Sequence, residues 1–141
     1  MPLSSFSASL RMHAQHPVGQ VQLMPGEYVH LSWQGVPASS AEVRAIYNEA
    51  LALLRREGLH KILTDHRLMP RLSAADRDWL TATWAPQAVA TAGYRFAAIV
   101  QAQDVFNRLA TVQIVHELAV PLTVRYFDDE ATADAWLRQQ R

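Results

Sequence analysis

The chain has no cysteine among its 141 residues. That absence excludes a disulfide framework, a thiolate zinc site and a cysteine nucleophile together. Neither sign of charge is in excess, because 13 Lys and Arg balance 13 Asp and Glu. Proteins that work on nucleic acid or anionic lipid usually carry a basic surplus, so neither is expected as a partner. Glycine is scarce, five in all, and none falls in G-x-G-x-x-G or G-x-x-x-x-G-K-S/T. The nucleotide cradles built on those motifs are therefore absent. No apolar run approaches the ~20 residues needed to span a bilayer. The opening "MPLSSFSASLRMHAQHP" has no cationic head followed by an unbroken apolar stretch, so it does not read as a secretory signal. The expectation is a protein of the cytoplasm.

What is present reads as one globular domain. Half of the residues are hydrophobic and 18% are charged, and a chain of this length can bury a core without staples. Residues 1–17 read as a lead-in that is either unstructured or holds an edge strand such as "SASLRM"; the domain proper spans 18–141. "GQVQLM" and "EYVHLSWQG" flank Pro25-Gly26 and predict a hairpin. "SSAEVRAIYNEALALLRREG" predicts a helix, with Ser39 and Glu42 as a capping box and Gly58 as its stop. "KILTD" reads as a strand and "SAADRDWLTATWA" as a helix capped by Ser73, which Pro86 breaks or restarts. "YRFAAIVQ", "DVFNRLATVQIVHELA", "LTVRYF" and "DEATADAWLRQQ" continue the alternation. The predicted fold is α/β, a mixed sheet of about five strands flanked by helices in the order β-β-α-β-α-β-α-β-α. Trp33, Ile62, Leu63, Ile99, Val100 and Val124 are the predicted core of its strands.

The chemistry-bearing residues gather at the end of "KILTD", where Asp65, His66 and Arg67 lead into a loop. In open α/β sheets ligands collect beyond the carboxyl ends of strands. An acid, an imidazole and a guanidinium there can move protons or bind an anion, or simply form a polar loop with Arg67 on an acid and His66 in solvent. Trp79 and Trp84 lie five apart on one helix, so their rings point differently and one of them can line a pocket or interface. His13 and His16 would share a helix face but lack further ligands, so no metal or cofactor is expected. Ser73 stands near His66 without a nucleophile elbow and is already engaged as a cap, so catalysis finds no support, although a hydrolase using His66 stays open.

Several phrases resemble the bacterial SpoIIAA-like, or STAS-like, domains: "HLSWQGVPASSAEVRAIYNEAL", "KILTDHR", "WLTATWAPQAVATAGYRFAAIV" and "VRYFDDEATADAWL". The resemblance implies a mixed sheet with flanking helices and a non-catalytic regulatory role, as in anti-sigma-factor antagonists. Lipid-carrying CRAL-TRIO domains are more distant relatives in architecture. In phosphoswitch STAS domains a Ser or Thr follows the strand-end Asp. Here Asp65 matches, His66 follows it, and the nearest hydroxyl, Ser73, is displaced along the loop, so the phosphorylatable serine is missing. The resulting expectation is a module that binds a protein partner or a second copy through Asp65, His66 and Arg67, with Trp84 beside them. The alternative is a carrier that holds a small apolar ligand near Trp79, Trp84 and Phe106.

Overall fold

A computed structural model describes residues 10–141. Its elements are β1 (Arg11–His16), β2 (Gly19–Met24), β3 (Tyr28–Trp33), α1 (Ser40–Glu57), β4 (Lys61–Asp65), α2 (Ala74–Trp79), a π-helical turn (Leu80–Trp84), α3 (Ala85–Ala92), β5 (Phe96–Val100), α4 (Val105–Glu117), β6 (Thr123–Phe127) and α5 (Glu130–Gln139). The strands form one sheet in sequence order, β1-β2-β3-β4-β5-β6. β1–β2 and β2–β3 pair antiparallel, and the other three pairings are parallel. The fold is therefore the mixed α/β sheet expected, with six strands instead of about five.

The additional strand is β1. Of the expected strand over 7–12, residues 7–9 lie outside the described residues, and the strand seen runs from Arg11 to His16. Its alternation is hard to read because the register with β2 shifts between Met12 and Ala14, and a bulge breaks the period-two signal. His13 and His16 thus lie on a strand, with His13 Nε2 3.2 Å from Glu49 Oε2. The close approach of β2 to β3 depends on Gly19, where a Cβ would meet the Ser32 carbonyl oxygen at 2.5 Å.

The helices begin where their caps predict. Ser39 Oγ accepts from Glu42 N at 3.2 Å, and Glu42 Oε1 accepts from Ser39 N at 2.9 Å, closing the capping box. Gly58 stops α1 in the left-handed region, φ 63°, which other residues rarely adopt. Asp104 and Asp129 cap α4 and α5 by accepting from Asn107 N and Thr132 N. Of the two outcomes expected at Pro86, a break or a restart, the structure shows the restart, with Pro86 in the first turn of α3. The rod continues from α2 through the π turn into α3, with Ala85 N–H bonded back to the Leu80 carbonyl. The widened i→i+5 pattern lets a residue without an N–H follow without a break.

The three helical connections between parallel strands lie on one face of the sheet. There Val21, Leu31, Ile62 and Ala97 pack against Val43, Ile46, Leu54, Leu80 and Trp84. The opposite face carries a smaller core of Met24, Tyr28, Leu63, Ala98 and Val100 beneath Ala133 and Leu137 of α5. Trp33, Ile62, Leu63, Ile99 and Val100 are buried as expected. Val124 is only half-buried, because β6 closes the sheet and is covered less than a central strand. Ile62 is 1% exposed in mid-sheet, so Ile62→Ala should lower stability by about 2–5 kcal/mol in urea titration; a loss of a few tenths would contradict the packing.

Candidate functional site

β4 ends at Asp65, and strand alternation sets the direction of the side chains beyond it. Successive side chains leave opposite faces of a sheet, so Asp65 and Arg67 emerge on the α5 face while His66 turns to the face of α4. The sequence offers these three residues as one cluster. The structure divides them between two environments.

On the α5 face, Asp65 is 9% exposed and its carboxylate is enclosed by Arg67. Arg67 N donates to Oδ1 at 3.0 Å, Arg67 Nε donates to the same oxygen at 3.0 Å, and Nη2 donates to Oδ2 at 2.6 Å. Burial pushes the Asp65 carboxyl up, but these bonds outweigh it and hold its pKa below the usual range. The same hydrogen bonds raise Arg67. The guanidinium fork, expected to face a partner, is closed on its own loop, with Glu130 Oε1 at 3.6 Å from Nη2. Glu130 also meets His30 Nε2 at 2.8 Å. In the sequence Glu130 is only a helix-starting acid and His30 the polar side of β3. Together they tie the start of α5 to the sheet.

On the other face His66 is 6% exposed, not in solvent. Its backbone N–H donates to the Val100 carbonyl at 2.9 Å, and its Nδ1 lies 3.2 Å from Thr111 Oγ1 on α4. Burial drives its pKa down to about 4, and Asp65 through the sheet opposes that only weakly. The imidazole is neutral at physiological pH. Thr111 is the polar neighbour that sequence reading misses; it lies 45 residues away, and no local motif marks it.

His66 and Thr111 border an apolar cavity of about 100 Å³ between the sheet and the helices, walled by Met69, Leu80, Trp84, Ile99 and Ile114. Trp84 lies in this wall, its Nε1 donating to the Tyr47 carbonyl at 2.8 Å. Trp79 and Phe106 do not line it. Trp79 is half-buried beneath the Arg44 guanidinium, 5.2 Å from its ring centre. The two indoles do not diverge as a regular helix would require. Five residues make about one turn of the π-helical pattern, and both rings meet that of Tyr47, Trp79 at 6.4 Å and Trp84 at 5.1 Å. Phe106 is 66% exposed with Arg71 over its ring at 4.6 Å. It faces outward because α4 buries only Asn107 and Thr111. Ser73 Oγ caps α2 by accepting from Asp76 N at 3.1 Å.

The SpoIIAA-like family model matches residues 29–138, a span that contains every residue of this site. The chain belongs to the SpoIIAA-like family. No curated protein and no solved structure matches it. The mixed α/β sheet flanked by helices is consistent with membership in the SpoIIAA-like family; β1 and β2 precede the matched span. Among the described residues no helix is long and apolar enough to cross a membrane.

His66 supplies a pH test of the site. Its folded pKa of about 4 lies below the unfolded value near 6.5. Its contribution is therefore intact above pH 6.5 and is lost as the pH falls toward 4, by up to about 3 kcal/mol. Denaturation midpoints of the wild type should decline across that window, and His66→Gln should flatten the decline; equal slopes would place the imidazole in water.

Proposed function

We propose that this SpoIIAA-like protein is a non-catalytic regulatory module that acts by binding a partner protein transiently through α4. The observation that carries this reading is a second, outward-facing apolar stripe on that helix. A helix on a soluble domain normally turns its apolar stripe to the core. α4 in addition presents Val105 (64% exposed), Phe106 (66%), Leu109 (62%) and Val112 (48%) to solvent, with Val105, Leu109 and Val112 at the i, i+4, i+7 spacing of helix-in-groove recognition. Beside the stripe runs an open groove of about 510 Å³ whose other wall is Ala74, Arg77 and Asp78 of α2. Four exposed side chains on one helix face make a small contiguous apolar patch of the kind that marks an interaction site. A stable dimer needs ~800 Å² per partner, so this patch suits a short-lived contact with an amphipathic helix better than a permanent pair.

The site argues against chemistry. His66 is a weak base at a pKa of about 4, its hydroxyl neighbour is buried, and Asp65 leaves from the other face and cannot orient the imidazole as an acid–base triad requires. Arg67 is committed to Asp65, so Asp65 and Arg67 shape the loop and Phe106 is the contact residue. A photo-crosslinking side chain at Leu109 should trap one protein in cells, and that protein, purified, should bind the wild type and lose most affinity to Phe106→Glu. A crosslink no stronger than one placed at exposed Arg11, or binding indifferent to Phe106→Glu, would overturn the reading.

A second reading rests on the cavity. Its apolar walls and the His66–Thr111 pair suit a small apolar molecule with one hydrogen-bonding group. At about 100 Å³ it holds a few heavy atoms at most, unless α4 shifts. Phenol should then quench the Trp84 emission saturably, and Ala97→Leu, which fills the cavity, should abolish the effect. Identical quenching in both proteins would remove this reading.

A further inference from the structure

The two borders of the sheet differ in a way that the regulatory reading does not use. At one border β1 carries its register shift between Met12 and Ala14, and a bulge of this kind protects an edge from pairing. At the other border β6 pairs with β5 through five consecutive residues, from Phe96↔Thr123 to Val100↔Phe127, without interruption. Thr123 N–H donates to the Arg95 carbonyl and the Phe127 carbonyl accepts from Gln101 N–H. The backbone groups of Thr123, Arg125 and Phe127 therefore face β5, and those of Val124 and Tyr126 face outward with no further strand beyond them among the described residues. Thr, Val, Tyr and Phe are strand-forming residues. This edge is short, regular and open.

Its one charged side chain is Arg125, an exposed residue midway along the strand. The guanidinium lies over the rings of Phe127 and Trp136, at 5.9 and 6.0 Å from their centres. It forms no ion pair among the described residues. A guanidinium beside aromatic rings and without an ion pair has N–H donors available for a carboxylate.

We propose that the edge of β6 accepts an extended acidic segment of a partner protein as a seventh strand. Main-chain bonds to Val124 and Tyr126 would supply the attachment and Arg125 would select the charge. Charge also argues against a second copy as occupant, because two-fold pairing of β6 with itself about its centre sets Arg125 against Arg125. The acids that follow the strand, Asp128 and Asp129, lie past its end, and Asp129 is turned into the α5 cap. This surface is separate from α4, and the inference stands whether or not the α4 reading holds.

The test uses the whole protein, labelled with ¹⁵N, and a blocked hexapeptide of alternating Glu and Val. Titration at low salt should shift the amide signals of Val124, Arg125 and Tyr126 and leave those of α4 in place. Arg125→Gln should weaken binding about tenfold or more, the loss of one charge-assisted contact. A peptide N-methylated on its inward-facing amides, and one with Lys replacing Glu, should not bind. Overturning results are the absence of β6 shifts, equal binding of the N-methylated peptide, which reveals charge attraction alone, or β6 shifts that grow with protein concentration before any peptide is added, which reveals pairing between copies.

Discussion

The structure depends on the sense in which its parallel strands are connected. A strand–helix–strand crossover is right-handed almost without exception, and here three of them step in one direction across β3, β4, β5 and β6. Their helices must lie on the same face. The larger core forms there, and among the described residues α5 is the only helix on the other face. Each proposed binding surface stems from that asymmetry. α4 is the last of the crowded row and reaches the sheet beside its least-covered strands. β6 is left at the border, and the polar ties of His30 and Glu130 occur where α5 meets the open face.

Two energetic styles hold the two faces. The crowded face relies on area: Ile46, Leu53, Leu54 and Ile62 are 0–1% exposed, and each contributes roughly 1.5–3 kcal/mol by leaving water. The α5 face adds directed polar contacts to a smaller core. Tyr28 Oη donates to Asp134 Oδ1 at 2.7 Å, and Lys61 Nζ donates to the Leu137 carbonyl at 2.6 Å. Burial, and after it that bond to Asp134, pushes the Tyr28 hydroxyl far up, so it stays a donor at any working pH. Such contacts add little net stability each, but they fix the angle and register of a helix that a small apolar contact alone would leave free to slide.

Most of the architecture was legible in the sequence because it is locally encoded. "KILTD" and "GQVQLM" are strands to the residue, and Ser39 and Ser73 cap the helices they precede. β1 was faint because its bulge shifts the alternation that marks a strand. The site was less legible for a different reason. Sequence proximity groups Asp65, His66 and Arg67, whereas a sheet separates neighbours by face, so His66 goes to Thr111 and Asp65 stays with Arg67. Trp79, Trp84 and Phe106 group as apolar aromatics near a pocket, yet only Trp84 enters it. The directions of the other two depend on the phase of their helices, which no short-range pattern reports.

For the tryptophans, that phase is set at one place, the π turn from Leu80 to Trp84. A π turn is an α-helix carrying one residue too many, and the widened loop absorbs the surplus locally. The helix on either side keeps the direction it would have without it. Deleting one residue inside this turn would therefore close it to ordinary winding and leave α2 and α3 near their present faces. The same deletion inside α2 or α3 has no surplus to draw on. It would swing one end of the rod by about 100° against the other, pulling either the Ser73 cap from Asp76 or Ala88 from the core. The rod thus has a single place of slack, and changes in chain length between Ser73 and Gly93 are cheapest there.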